Sequence, residues 1–204
     1  MKNSVINYLI LCIGSIIMGL GVAVAIHGGH GTDPLATFWE GLSIKLPITV
    51  GQANFLVSIL LIIISIFIDR KQLNIGTIIN PLVAGFSTDL FLIIFNSSNF
   101  LLPELMQSII GVILLGIGVG TYTASNLGKG AYDAVTFSLC RKLKLSFYKV
   151  RMIFDLFFLI AGYALGGKIG IATIFAVLCL GAIIQNTNKW ITTMITSLKQ
   201  SIIH

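Results

Sequence analysis

Long apolar runs alternate with short polar connections along the whole chain. The runs lie at roughly Val5–Ile26, Gly51–Ile68, Ile75–Phe95, Leu105–Thr123, Phe147–Leu165 and Ile169–Lys189. About 20 helical residues cross the roughly 30 Å hydrocarbon core of a bilayer, so the pattern predicts six membrane-spanning helices. The third and sixth runs are the least pure, because Asn, Asp or Gln interrupts them. Two longer connections, His27–Val50 and Ala124–Ser146, are too polar to cross. Each holds a short apolar stretch, Leu35–Leu42 and Ala134–Leu139. These stretches predict short helices that lie at the interface or dip back into the protein.

Composition turns this pattern into a class. The apolar set makes up 56% of the 204 residues, and 21 glycines bring the total to about two thirds; about 45–50% is usual. Charged residues are 10%, where about 25% is usual. So few charges exclude a soluble enzyme, a nucleic-acid-binding domain and a disordered chain. The net charge of +6 does not reverse this, because the cations sit between apolar runs rather than along a soluble face. Cys12, Cys140 and Cys179 are scattered and signal neither a disulfide framework nor a zinc site. The Lys2 start and the Ala23-Val24-Ala25 echo of a cleavage site imitate a signal peptide. The apolar stretch is too long for one, and more spans follow, so a retained first helix is expected.

Lys and Arg set the expected orientation. Arg70 and Lys71 mark the second connection, and Lys129, Arg141, Lys142 and Lys144 the fourth; the first and fifth hold only Lys45 and Lys168, and the third none. Six spans then place both termini in the cytoplasm of a bacterial inner membrane. The tail at 190–204 is amphipathic and is expected on the inner surface.

An internal repeat emerges when the chain is shifted by 97 residues. Gly14, Gly19, Gly21 and Gly31 then lie over Gly111, Gly116, Gly118 and Gly128; after one deletion Thr77 and Gly85 lie over Thr173 and Gly181. Each unit (about 5–95 and 105–189) reads as span, broken connection, span, turn, span. An odd number of spans per unit inverts the second unit relative to the first. Secondary transporters often have this architecture, with a site near the midplane. The expected fold is therefore all-α: one polytopic domain over 1–204, made of two inverted three-helix repeats, each with a short broken helix after its first span. The glycines also provide close-packing seams between helices.

Several polar side chains fall within or beside spans. Asp89 and Asp155 are intramembrane acids, which are costly and usually face the bundle interior. Asp155 could instead form an i,i+4 pair with Arg151. Asn80-Pro81 interrupts the third span and could free a carbonyl beside Thr77. Gln52 and Gln185 are further candidates to line a pathway. His27-Gly28-Gly29-His30 has a two-histidine spacing, but a metal would need more ligands. No HExxH, GxSxG or phosphate loop occurs, so no enzyme chemistry, metal or cofactor is expected.

The order of the motifs carries a resemblance. They are GGHGTDPL at Gly28–Leu35, ITVGQ at Ile48–Gln52, NIGTIINPLVAG at Asn74–Gly85, NLGKGAYDAV at Asn126–Val135 and GGKIGIATIF at Gly166–Phe175. Together they resemble the YitT/YczE group of bacterial integral membrane proteins over nearly the whole chain. The group's broken loop usually reads Gly-x-x-Pro-Trp-Asp. Here Pro34 matches, Leu35 and Ala36 stand at the Trp and Asp positions, and Asp33 lies nearby out of register. In the second loop Asp133 matches the acid and Ala131 replaces the proline. The resemblance implies a poorly characterised, transporter-like membrane family.

The expected function is secondary transport of a small polar solute, with a proton coupled through Asp89 or Asp155. The alternatives are a substrate-binding subunit of a larger transporter and a non-transporting scaffold. The expected partners are the lipid bilayer and the solute, with no nucleic acid; a second copy of the chain or an accessory protein is left open.

Overall fold

The computed structural model describes residues 2–97 and 102–203. The third connection, free of Lys and Arg in sequence, lies partly outside the described residues. Those described form eight α-helices: α1 Lys2–Gly28, α2 Pro34–Lys45, α3 Val50–Ile68, α4 Ile75–Asn96, α5 Glu104–Ala124, α6 Ala131–Leu143, α7 Phe147–Ala164 and α8 Ile171–Ile203. The two short helices expected in the broken connections are α2 and α6.

Local chemistry sets the helix starts. Asp33 caps α2 by accepting from Leu35 N, and Pro34 fills the first turn, where no N–H is needed. Capping boxes start α3 (Thr49 with Gln52) and α4 (Asn74 with Thr77). Pro81 lies inside α4 without ending it. The tail at Trp190–Ile203 continues α8, a helix of 33 residues, because no Gly or Pro after Gly181 stops it.

The protein is a helical membrane protein. Among the described residues, five helical segments are long and apolar enough to cross a bilayer: Val5–Gly28, Val50–Ile68, Ile75–Asn96, Glu104–Ala124 and Ile171–Ser197. The remaining expected crossing corresponds to α7, which carries Lys149, Arg151 and Asp155 and is less apolar for that reason. One face of α7 exposes Met152, Ile153, Leu156, Phe157, Ile160 and Tyr163. Arg151 and Asp155 instead make contacts with α6.

The core seam is the antiparallel pair α1 and α5. A Cβ on Gly14 would lie 2.9 Å from the Gly118 carbonyl, and one on Gly21 would lie 2.7 Å from that of Gly111. Only backbone against backbone fits there, which is how helices associate where lipid removes the hydrophobic drive. Outside this pair, α4 packs on α1 and α8 on α5, while α2 packs on α7 and α6 on α3.

Several contacts recur at the offset seen in the sequence. Ala172 N donates to His30 O at 3.2 Å, and Gly76 N donates to Leu127 O at 2.8 Å. Gly29 and Asn126, 97 residues apart, both have positive φ, as do Gly31 and Gly128. At the far ends of the short helices, Gly41 meets Gly162, and Ser138 Oγ lies 3.1 Å from Ser65 Oγ.

Candidate functional site

Several partly buried charged groups gather around Arg151 on α7. Its Nη1 donates to Asp133 Oδ1 at 2.9 Å, and its Nε lies 3.7 Å from Asp155 Oδ2. Tyr132 donates its hydroxyl to Asp155 Oδ1 at 2.5 Å, and the guanidinium sits 5.1 Å from the Tyr132 ring centroid. The i,i+4 pair of Arg151 and Asp155 is therefore present, but it is the longer of the two ion pairs, and α6 supplies the closer partner.

A third acid approaches from the other short helix. Asp33 is near enough for its charge to act on both Arg151 and Asp155. Its Oδ2 accepts from Leu35 N at 3.2 Å and Ala36 N at 3.5 Å. Its Oδ1 is enclosed and has no hydrogen-bond partner, and the same holds for Oγ1 of the adjacent, fully buried Thr32. Burial, with the charge of Asp155 adding to it, pushes the Asp33 carboxyl up to about 6.

Asp33 is the N-cap of α2, whereas Asp133 is the third residue of α6. The two are therefore out of register by three residues in the repeat. Three residues are just under one helical turn, so both acids belong to the first turn of their helices, where the helix dipole favours negative charge. The sequence reading noted Asp33 only as an out-of-register neighbour. Its one local signal was the Asp-Pro step that starts a helix. Nothing local signalled Tyr132, whose role depends on α6 packing near α7.

A cavity of about 460 Å³ reaches this cluster. Lys71, Asn74, Asn126, Lys129, Asp133 and Asn188 are among its lining residues, and the volume is within the usual range for small-ligand sites. Lys129 Nζ lies 3.0 Å from the Phe137 ring centroid. Partial burial holds its amine below the ordinary range, against the pull of Asp133. At the far end of α2, Glu40 is buried and accepts from Lys168 N at 3.0 Å. Burial raises its carboxyl, while that hydrogen bond and the Lys168 charge lower it.

The other residues singled out from the sequence fall elsewhere. Asp89 accepts from Thr49 Oγ1 at 2.6 Å and from Gly51 N at 2.8 Å, tying α4 to the start of α3. With Gln52 it lines a second cavity of about 450 Å³, whose other walls include Phe55, Leu56 and Phe86. Gln52 also accepts from Thr49 N in the α3 capping box. Asn80 donates from Nδ2 to Ser15 Oγ at 3.0 Å, linking α4 to α1. Thr77 donates to Lys129 O at 2.7 Å, which fixes the loop before α6 beside the first cavity. Gln185 is exposed. The structure thus brings Asp133 and Asp155 together, groups Asp89 with Gln52, and keeps Asn80 and Gln185 apart from both places. His27 Nδ1 pairs with Gln107 Oε1 at 2.7 Å, and His30 Nε2 lies 3.7 Å from Glu104 Oε2.

Comparison with known proteins gives a family and no activity. The model of a family of unknown function, DUF6198, matches residues 5–189. The uncharacterized protein YyaS of Bacillus subtilis is 30% identical over 181 residues, covering 87% of this chain and 90% of the relative. The uncharacterized membrane protein YczE of the same organism is 32% identical over 180 residues, covering 84% and 80%. An uncharacterized protein of Haemophilus influenzae is 25% identical over 169 residues, covering 83% and 77%. No solved structure matches.

Proposed function

The chain belongs to the DUF6198 family, and from that premise we propose that it is a secondary carrier for a small polar solute. The observation that carries this reading is the polar cavity that ends at Asp133, whose carboxylate is paired with Arg151 of α7. A carrier places its central site at the interface of the two halves.

In this reading α7 is the sixth crossing, and the two halves thread the bilayer in opposite senses. The antiparallel α1–α5 seam and the contacts recurring 96 or 97 residues apart support that arrangement. The cations support an inner-membrane orientation with both termini in the cytoplasm, which puts the cavity with Lys71 and Lys129 on the inside. The opposite connection is shut by the packing of Gly31 against Gly170 and Thr173. In this reading the carrier is open to the cytoplasm, and its residues have no catalytic role.

The test is flux through liposomes holding this chain alone, with a panel of labelled amino acids, carboxylates and nucleosides. Gradient-driven uptake of one class, lost in Asp133→Asn, is the expected result. Tight binding with flux only after a partner protein is added would favour a binding subunit. Neither binding nor flux would favour a scaffold.

A further inference from the structure

Around Arg151 the carboxylates outnumber the cations. Lys129 acts on Asp133, and Asp33, Asp133 and Asp155 all act on the Arg151 guanidinium. Asp133 and Asp155 take its N–H groups or lie against them, and Tyr132 supplies a further donor to Asp155. Asp33 is left over: its enclosed Oδ1 has no donor, and the adjacent buried Thr32 hydroxyl has no partner either. Only Oδ2 is served, by the amides of Leu35 and Ala36, and a carboxylate with one enclosed, unpaired oxygen is shifted toward its neutral form.

The surroundings leave few ways to neutralise it. From α7 the charged groups facing Asp33 are Arg151 and Asp155; from α6, Asp133 and Tyr132 reach it through Arg151. The helix α3, which also packs on α2, carries no ionisable side chain between Val50 and Ile68. Glu40 and Lys168 meet at the opposite end of α2. Among the described residues no three acidic, His or Cys side chains converge into a metal cage. A proton needs no cage.

We infer that Asp33 is a proton-binding site: its carboxylate takes up one proton while Arg151 is held by Asp133, and releases it to water when Arg151 is freed to face it. The step moves one proton between Asp33 and solvent and changes no other bond. A solute that displaces Asp133 from Arg151 would thereby expel the proton, so occupancy of the cavity and protonation of α2 would be coupled. That coupling rests on the carrier reading; the proton site itself does not.

The experiment is infrared titration of the protonated-carboxyl band in the purified full-length protein, with no solute added. The wild type should lose one carboxyl band with a midpoint near 6, and Asp33→Asn should lack it. Asn caps a helix as well as Asp does; Asp33→Ser, another good cap, is the second variant should the first not fold. In Asp133→Asn the freed guanidinium should turn to Asp33 and move the midpoint down by a unit or more. The same band in Asp33→Asn or Asp33→Ser, or a wild type whose carboxyls all titrate in the ordinary range, would overturn the proposal. A band that behaves as expected in a protein without flux for any solute of the panel would sink the carrier and leave the proton site standing.

Discussion

The two connections that start the short helices share a backbone frame and differ in what fills it. In both, a carbonyl 97 residues from its counterpart accepts from the start of a long helix of the other half: His30 from α8, Leu127 from α4. Both use positive φ, at Gly29 and Gly31 and at Asn126 and Gly128. Their side chains diverge. Thr32 is fully buried, whereas its offset counterpart Lys129 lines the 460 Å³ cavity. Asp33 caps α2, whereas α6 begins at Gly130 without a side-chain cap and has Asp133 paired to Arg151 instead. Similar backbone frames thus carry one closed loop and one loop beside a polar cavity, and the difference lies in a few side chains rather than in the backbone.

Splitting the α1–α5 seam, on which both connections depend for their place, should have the largest effect. Gly118→Leu drives a side chain into Met18 and the Gly14 carbonyl, and the chain should fail to accumulate as a folded species, read by membrane yield and elution profile. Arg151→Leu comes next, because it strands the carboxylates of both short helices. Its cost should fall below the about 3–5 kcal/mol of breaking a fully buried pair, since Arg151 keeps 30% of its side-chain exposure. Thermal melting in detergent measures it.

Gly31→Ala and Gly128→Ala separate the closed loop from the other. Each adds a Cβ at positive φ, a strain of about 1–2 kcal/mol. At Gly31 the Cβ would also lie 2.7 Å from the Gly170 backbone nitrogen, while at Gly128 it meets the Cβ of the exposed Asn74 at 2.8 Å. Gly31→Ala should therefore lower the melting temperature more; equal losses would show that both loops are equally tight.

The two acids should respond to neutralisation with opposite signs. The Asp33 carboxyl is raised from 3.8 to about 6 in the folded protein, so the folded state binds its proton more tightly than the unfolded state. Wild-type stability therefore falls as pH climbs through that window. Asp33→Asn escapes this loss and should melt higher than wild type above pH 6, with the gain vanishing below about pH 4. Asp133→Asn removes the nearest partner of Arg151 and should melt lower at neutral pH. Gains or losses in common would erase the distinction between the acids. The mildest test leaves stability unchanged: in a cysteine-free background, Lys129→Cys should label from the cytoplasmic side and Thr32→Cys from neither.

Much of the fold was legible along the chain. The apolar runs, the two short helices and the glycine offset are local properties or simple repetitions, and the motif order pointed to the right family. The site was legible only in pieces. Asp155 stood out as an acid within a span, Asp133 entered only through the family resemblance, and Arg151 only as a helical neighbour of Asp155. Asp33 fell three residues out of register with Asp133, so an alignment of the halves did not pair the two acids. The partners of Asp89, Thr49 and the Gly51 amide, lie 40 and 38 residues away, beyond the reach of any local pattern.

By itself the sequence determined that this chain belongs in lipid, where its helices lie, and that its halves echo each other, because solvation and helix starts act over a few neighbouring residues. Only the tertiary structure decided which carboxylate keeps Arg151 and which is left with a bare oxygen. That choice depends on how α2 and α6 pack against α7 and α3, and a charge pair in a poorly solvated interior is settled by distances of a few ångströms between segments more than a hundred residues apart.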